Sequence, residues 1–140
     1  MTVVLRDMDQ TVAWGRTFGS TLARGDVVLL FGELGAGKTT LVRGVAEALG
    51  YAGPVLSPTF TILEVYEGRL PIYHFDFYRI ADTSELRAVD PREYYDAGVT
   101  LMEWPERVRP LWPLPRLEVR LAIDGQMRRL TERRVSEDRP

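Results

Sequence analysis

The chain has 140 residues, enough for one domain with a real core and too few for two substantial ones. Its 45% hydrophobic and 27% charged fractions are ordinary for a soluble globular protein, and a net charge of -2 supplies no global attraction to nucleic acid. Cysteine is absent, which excludes a disulfide framework, a thiolate metal site and a thiol nucleophile.

Thr2 to Leu5 reads as a short strand, and Asp9 is placed to cap a helix from Gln10 to Arg24 with an imperfect stripe of Val12, Ala13, Phe18, Leu22 and Ala23. Gly25-Asp26 ends it. Val27 to Phe31 is an apolar run with the character of a strand buried on both faces. Gly32-Glu33-Leu34-Gly35-Ala36-Gly37-Lys38-Thr39 then fits G-x-x-x-x-G-K-[ST], the phosphate-binding P-loop pattern, at every fixed position. Thr39 to Leu49 follows with apolar residues at near-helical spacing and Gly50 as a stop.

Each residue type in the loop has a physical reason. Gly35 and Gly37 permit positive φ and bring backbone N–H groups against phosphate oxygens, and the helix N-terminus adds unpaired donors and partial positive charge. Lys38 supplies a cation for the β- and γ-phosphates, and the Thr39 hydroxyl is placed to ligate Mg²⁺. Lys38 is also the only lysine among 18 basic residues; the others are Arg, whose planar guanidinium does not fit a phosphate cradle as a compact ammonium does.

Beyond the loop, Val55-Leu56 begins a short extended piece that stops at Ser57-Pro58-Thr59. Phe60 to Tyr66 and Leu70 to Phe75 read as a hairpin turning at Glu67-Gly68. Asp82 opens a short helix through Val89, and Asp90-Pro91 opens another running to Asp96. Val99 to Met102 is an apolar strand ending in Glu103, Glu106 to Arg109 makes one helical turn, and Pro110, Pro113 and Pro115 stiffen the connector. Leu117 to Ile123 and Met127 to Val135 form a last hairpin around Asp124-Gly125. The expected organisation is a single P-loop ATPase domain over 1–135 and a disordered tail over 136–140. Its fold class is α/β: a small P-loop NTPase fold with a central mixed sheet between helical layers, a three-layer sandwich, mixed because two connections are too short for a crossover helix.

Hydrolysis also needs an acid at the metal and a group that positions water. Two acids end predicted strands. Glu103 has the placement of a Walker B carboxylate beside the metal held by Thr39, and Asp76, after Ile72 to Phe75, has the placement of a group that orients or activates the attacking water. Thr59 lies where many nucleotide hydrolases carry a switch loop, and a plain turn explains it equally well. His74, the sole histidine, sits inside a predicted strand, where a structural role is favoured over a catalytic one. Arg128, Arg129, Arg133 and Arg134 read as a solvated strand face in preference to an RNA patch.

No apolar run approaches the ~20 residues needed to cross a bilayer, and Met1 to Asp9 lacks a signal peptide's apolar core, so a cytoplasmic protein without a membrane partner is expected. A small-molecule kinase is a rival reading, but the only candidate lid, Asp82 to Asp96, is short and supplies just Arg87 and Arg92. A GTPase is disfavoured because the chain has no Asn and therefore no N-K-x-D motif. A nucleotide-gated assembly factor with negligible turnover of its own is the other alternative.

The P-loop block through Thr40, then Ser57-Pro58-Thr59-Phe60-Thr61, His74-Phe75-Asp76-Phe77-Tyr78-Arg79 and Glu103-Trp104-Pro105, resembles in order and spacing the bacterial TsaE family of ATPases of tRNA threonylcarbamoyladenosine biosynthesis. The resemblance covers about Asp9 to Ile123. It implies a P-loop ATPase that works with the TsaB–TsaD heterodimer on ANN-decoding tRNAs, with ATP hydrolysis resetting the complex between turnovers and tRNA contacted only through that complex. It further implies that Gly35, Ala36, Gly37, Lys38, Thr39 and Thr40 hold the nucleotide, Thr39 and Glu103 the Mg²⁺, and that Lys38 and Asp76 serve catalysis. Thr59 would lie in the switch-like loop, Trp104 beside the active site and Thr11 near the nucleotide. Family members often carry a Gly-Arg pair in the C-terminal hairpin; here Gln126 follows Gly125, leaving Arg128 and Arg129 as the nearby cations.

Overall fold

The computed structural model describes residues 1–56, 61–86 and 89–137. Ser57, Pro58, Thr59 and Phe60 therefore lie outside the described residues, as do Arg87, Ala88 and the last three positions of the tail.

Seven strands form one sheet: β1 (Thr2–Leu5), β2 (Val27–Phe31), β3 (Leu63–Glu67), β4 (Pro71–Asp76), β5 (Val99–Glu103), β6 (Arg116–Asp124) and β7 (Met127–Val135). Their spatial order is β1-β7-β6-β2-β5-β4-β3. The middle four are mutually parallel, and β3, β7 and β1 join antiparallel at the edges. All five residues of β2 are buried, as a central parallel strand covered on both faces requires.

One face is covered by α1 (Met8–Gly19) and α2 (Lys38–Ala48). Val28 and Leu30 turn to this side and join Phe18, Leu41, Val42 and Val45 in the larger core. The two helices pack backbone to backbone: a Cβ on Gly15 would meet the Leu41 carbonyl oxygen at 2.6 Å, and one on Gly44 would strike the Val12 carbonyl. Helix α1 is capped by Asp7, whose carboxylate accepts from Gln10 N–H at 2.9 Å. The expected cap, Asp9, sits instead inside the first turn, where its charge faces the positive end of the helix. The helix also stops at Gly19 and not Arg24, with the Ser20 and Thr21 hydroxyls donating back to the Thr17 and Phe18 carbonyls and competing with further turns.

The opposite face packs Val27, Leu29, Phe31, Phe75, Phe77 and Met102 beneath Tyr94, Leu111 and Trp112. Its cover consists of 3₁₀ segments at Thr83–Glu85, Pro91–Glu93 and Pro105–Leu111. The caps expected at Asp82 and Asp90 are present, accepting from Ser84 N–H at 2.9 Å and Arg92 N–H at 3.0 Å. Each element nevertheless lasts a single turn, because the chain turns extended at Leu86 and because Tyr94 must drop against Tyr73 and Phe75. The third layer is thus built from aromatic side chains on short turns.

Two register facts set up the site. Asp76 and Glu103 end adjacent parallel strands and pair directly with one another, and Leu30, two residues before the glycine-rich loop, is the other neighbour of Glu103. The carboxyl ends of β4, β5 and β2 therefore open side by side, the place where open α/β sheets take their ligands.

Candidate functional site

The loop Gly32 to Gly37 carries the chain from β2 into α2. Gly35 and Gly37 adopt φ of 83° and 105°, the left-handed region that disfavours a side chain. Gly37 is itself the N-cap of α2 and makes no side-chain cap bond, so the first-turn N–H groups have no side-chain acceptor from it.

Lys38 is 5% exposed. Its Nζ donates to the Gly32 carbonyl and lies 4.1 Å from the centroid of the Trp104 ring. Burial lowers its pKa below the usual lysine value, while Glu103, Asp76 and Glu106 oppose that shift. Trp104 has φ 54° and ψ 49°, alone among the described non-glycine residues in having positive φ. That left-handed turn directly after Glu103 is a strained conformation for a bulky residue, and Tyr78 packs on the same ring at 5.0 Å between centroids.

The acids meet the loop as the strand ends foretell. The Thr39 hydroxyl donates to Glu103 Oε2 at 3.1 Å, and the same oxygen is 2.6 Å from His74 Nε2. Asp76, one strand over, accepts from Tyr78 N–H at 2.9 Å. Burial raises the Asp76 pKa and Glu103 adds to that; the Tyr78 N–H, His74 and Lys38 pull the other way. A cavity of about 560 Å³ is lined by the loop from Leu34 to Thr40 together with Asp76, Glu103 and Trp104. A second cavity of about 390 Å³ lies on the other side of the loop, between Gly35 to Gly37 and Thr11, Gln126 and Arg128.

Of the residues singled out from sequence, Lys38, Thr39, Asp76, Glu103 and Trp104 converge on the larger cavity, while Thr11 lines the smaller one; Gly35, Ala36, Gly37 and Thr40 border both. Arg128 donates to the Gly35 carbonyl at 3.2 Å, and Arg129 turns away to Asp124. Arg133 pairs with buried Glu118, so two of the four C-terminal arginines are engaged in ion pairs on the strand surface. Tyr78, Arg79 and Ile80 also line the larger cavity; in the sequence Tyr78 and Arg79 have a place in a motif block but no role of their own, and Ile80 is not marked. The available signal was their position immediately after a strand-end acid.

A mixed sheet whose central strand feeds a G-x-x-x-x-G-K-T loop and a helix, with carboxylates ending the next two parallel strands, has the plan of a small P-loop protein. Within that class the chain belongs to the TsaE family: the family model described as "Threonylcarbamoyl adenosine biosynthesis protein TsaE" matches residues 5–134. The tRNA threonylcarbamoyladenosine biosynthesis protein TsaE of Synechocystis is 43% identical over 117 residues, covering 79% of this chain and 74% of the relative. The protein of the same name from Treponema pallidum is 41% identical over 128 residues, covering 89% and 95%. The crystal structure of Bacillus subtilis YdiB matches with a TM-score of 0.80 at 32% identity, over 97% of this chain and 86% of that one. Among the described residues no helix is long and apolar enough to cross a membrane.

Proposed function

We propose that this chain binds ATP with Mg²⁺ and hydrolyses it as the cytoplasmic nucleotide-driven component of tRNA threonylcarbamoyladenosine formation. It acts with the TsaB–TsaD heterodimer, resets that complex between turnovers, and meets tRNA only through it. The observation that carries the reading is the meeting of Lys38, the Thr39–Glu103 pair and Asp76 at one cavity mouth, in a chain of the TsaE family.

In this reading the N–H groups from Gly35 to Thr40 face the phosphates, and Lys38 leaves the Gly32 carbonyl to reach them. Restored ionic contact offsets the cost of its burial. Thr11 and Arg128, across the loop, border the cavity of about 390 Å³, on which the nucleoside end is placed.

The donor set fits Mg²⁺. Thr39 Oγ1 and Glu103 Oε2 are hard oxygens 3.1 Å apart, and among the described residues no group of three or more His, Cys, Asp or Glu could hold a metal alone. Mg²⁺ takes few protein ligands and completes its shell with phosphate and water. When bound it neutralises charge developing between the β- and γ-phosphates. Asp76, half-buried and with its proton affinity raised, would accept a hydrogen bond from the attacking water and orient it, a role that its seat in the cavity lining beside Glu103 supports.

Among the described residues a kinase lid finds no support. The Thr83–Glu85 and Pro91–Glu93 segments are single turns, and the Arg92 guanidinium is engaged by Asp90 at 2.7 Å. ADP formation by the purified chain, measured with and without a small-molecule acceptor, tests the class, since hydrolysis and phosphoryl transfer both yield ADP. Hydrolysis independent of an acceptor is expected, and strict dependence on one would replace this reading with a kinase.

A further inference from the structure

A buried row of polar side chains crosses from the edge of the sheet to the P-loop helix. The Tyr66 hydroxyl on β3 is 2.9 Å from His74 Nδ1 on β4, and His74 Nε2 is 2.6 Å from Glu103 Oε2 on β5. The Thr39 hydroxyl on α2 reaches that same oxygen. His74 is fully buried, and Tyr66 and Glu103 are nearly so. A phenol this deep keeps its proton: burial, with Glu64 next, pushes the Tyr66 pKa far above its ordinary value.

A carboxylate oxygen only accepts, so the contact with Glu103 puts a ring proton on Nε2; a ring carrying that single proton has Nδ1 bare, and the Tyr66 hydroxyl is its donor. Glu103 Oε2 therefore receives two donors, one from β4 and one from α2. A metal-ligating carboxylate left without such partners has neither fixed orientation nor compensation for burial.

We propose that His74 is a positioning residue: its Nε2–H, with the tautomer set by Tyr66, holds the Glu103 carboxylate against Thr39 in the geometry that receives the metal–nucleotide pair. The proposal rests on the reading of Thr39 and Glu103 as Mg²⁺ ligands. It gives the only histidine of the chain a task that a nonionisable amide can imitate.

Two measurements test it. Because the chain has one histidine, ¹⁵N NMR reads its tautomer without assignment. Wild type is expected to show protonated Nε2 and bare Nδ1, and Tyr66→Phe to populate the other tautomer; protonated Nδ1 in wild type would overturn the proposal. Second, Mn²⁺ binding to the ADP-loaded protein is followed by electron paramagnetic resonance, alongside metal-free ADP affinity. His74→Leu is expected to weaken Mn²⁺ binding by about 10–100-fold, as loss of an outer-shell partner does, with metal-free ADP affinity kept. His74→Gln, which can still donate to Glu103 and accept from Tyr66, is expected to restore most of the metal affinity. Wild-type metal affinity in His74→Leu would sink the positioning role alone. Failure of wild type itself to bind Mn²⁺ with ADP would overturn the metal-site reading and the proposal with it.

Discussion

Lys38 waits in a dry position. Its ammonium lies against the Gly32 carbonyl and the Trp104 face and is desolvated, so under the proposed reading a phosphate oxygen would gain a cation that has already lost its water. Lys38→Ala should weaken ATP binding by about 10²-fold or more, the loss of two charge-assisted phosphate contacts worth on the order of 3 kcal/mol, as read by calorimetry. The acids behave differently. Glu103→Ala and Asp76→Ala should leave metal-free nucleotide affinity mostly intact and lower steady-state turnover by ~10² or more; unchanged hydrolysis in both would refute the roles assigned to them. Asp76 also carries a pH signature. Its carboxyl holds a proton more tightly in the native state than in the unfolded chain, so the ionised form destabilises the fold above the native pKa. That penalty is absent below the ordinary carboxylate range, about pH 4. Asp76→Asn should therefore raise the denaturation midpoint at neutral pH and lose that advantage on acidification, even as it lowers turnover.

At the scale of elements, the P-loop helix is anchored by glycine. Gly15 and Gly44 let α1 and α2 cross in backbone contact, which fixes the face of α2 that carries Thr39 towards Glu103. Gly44→Ala should cost about 1–3 kcal/mol in urea unfolding through overpacking against the Val12 carbonyl, well beyond the ordinary gain of alanine in a helix. Elements with local signals were legible from sequence. The five-residue apolar run at β2, the loop glycines, the strand-end acids and the Asp124-Gly125 turn all name themselves within a few residues. The aromatic face was not so readable. Asp82 and Asp90-Pro91 are true caps and mark where helical turns begin, but the first turn stops at the extended backbone of Leu86 and the second at the docking of Tyr94 on Tyr73 and Phe75, a tertiary contact with no local period. Asp7 displaced Asp9 as a cap for a related reason: two acids two residues apart offer the same chemistry, and only the extended backbone at Asp7 selects between them.

Across the whole molecule, the site is assembled from three adjacent strand ends and one helix, and its main groups were visible because Asp76 and Glu103 end their strands while Lys38 and Thr39 open the helix. What sequence hid was the row behind them. Tyr66 and His74 meet diagonally across β3 and β4, and His74 meets Glu103 from the next strand, so both contacts depend on register. Arg128 reaches the loop only because β7 returns beside β1 and brings its start over Gly35. These features bring Lys38, Thr39, Asp76 and Glu103 together at one end of the sheet in a member of the TsaE family, and the hydrolysis proposed there would serve a partner complex. The most direct measurement is ATP turnover by the chain alone and with added TsaB–TsaD heterodimer. Slow hydrolysis alone, accelerated several-fold by the pair and abolished in both settings by Lys38→Ala, is the predicted result; no binding to the pair and no change in turnover would contradict the account.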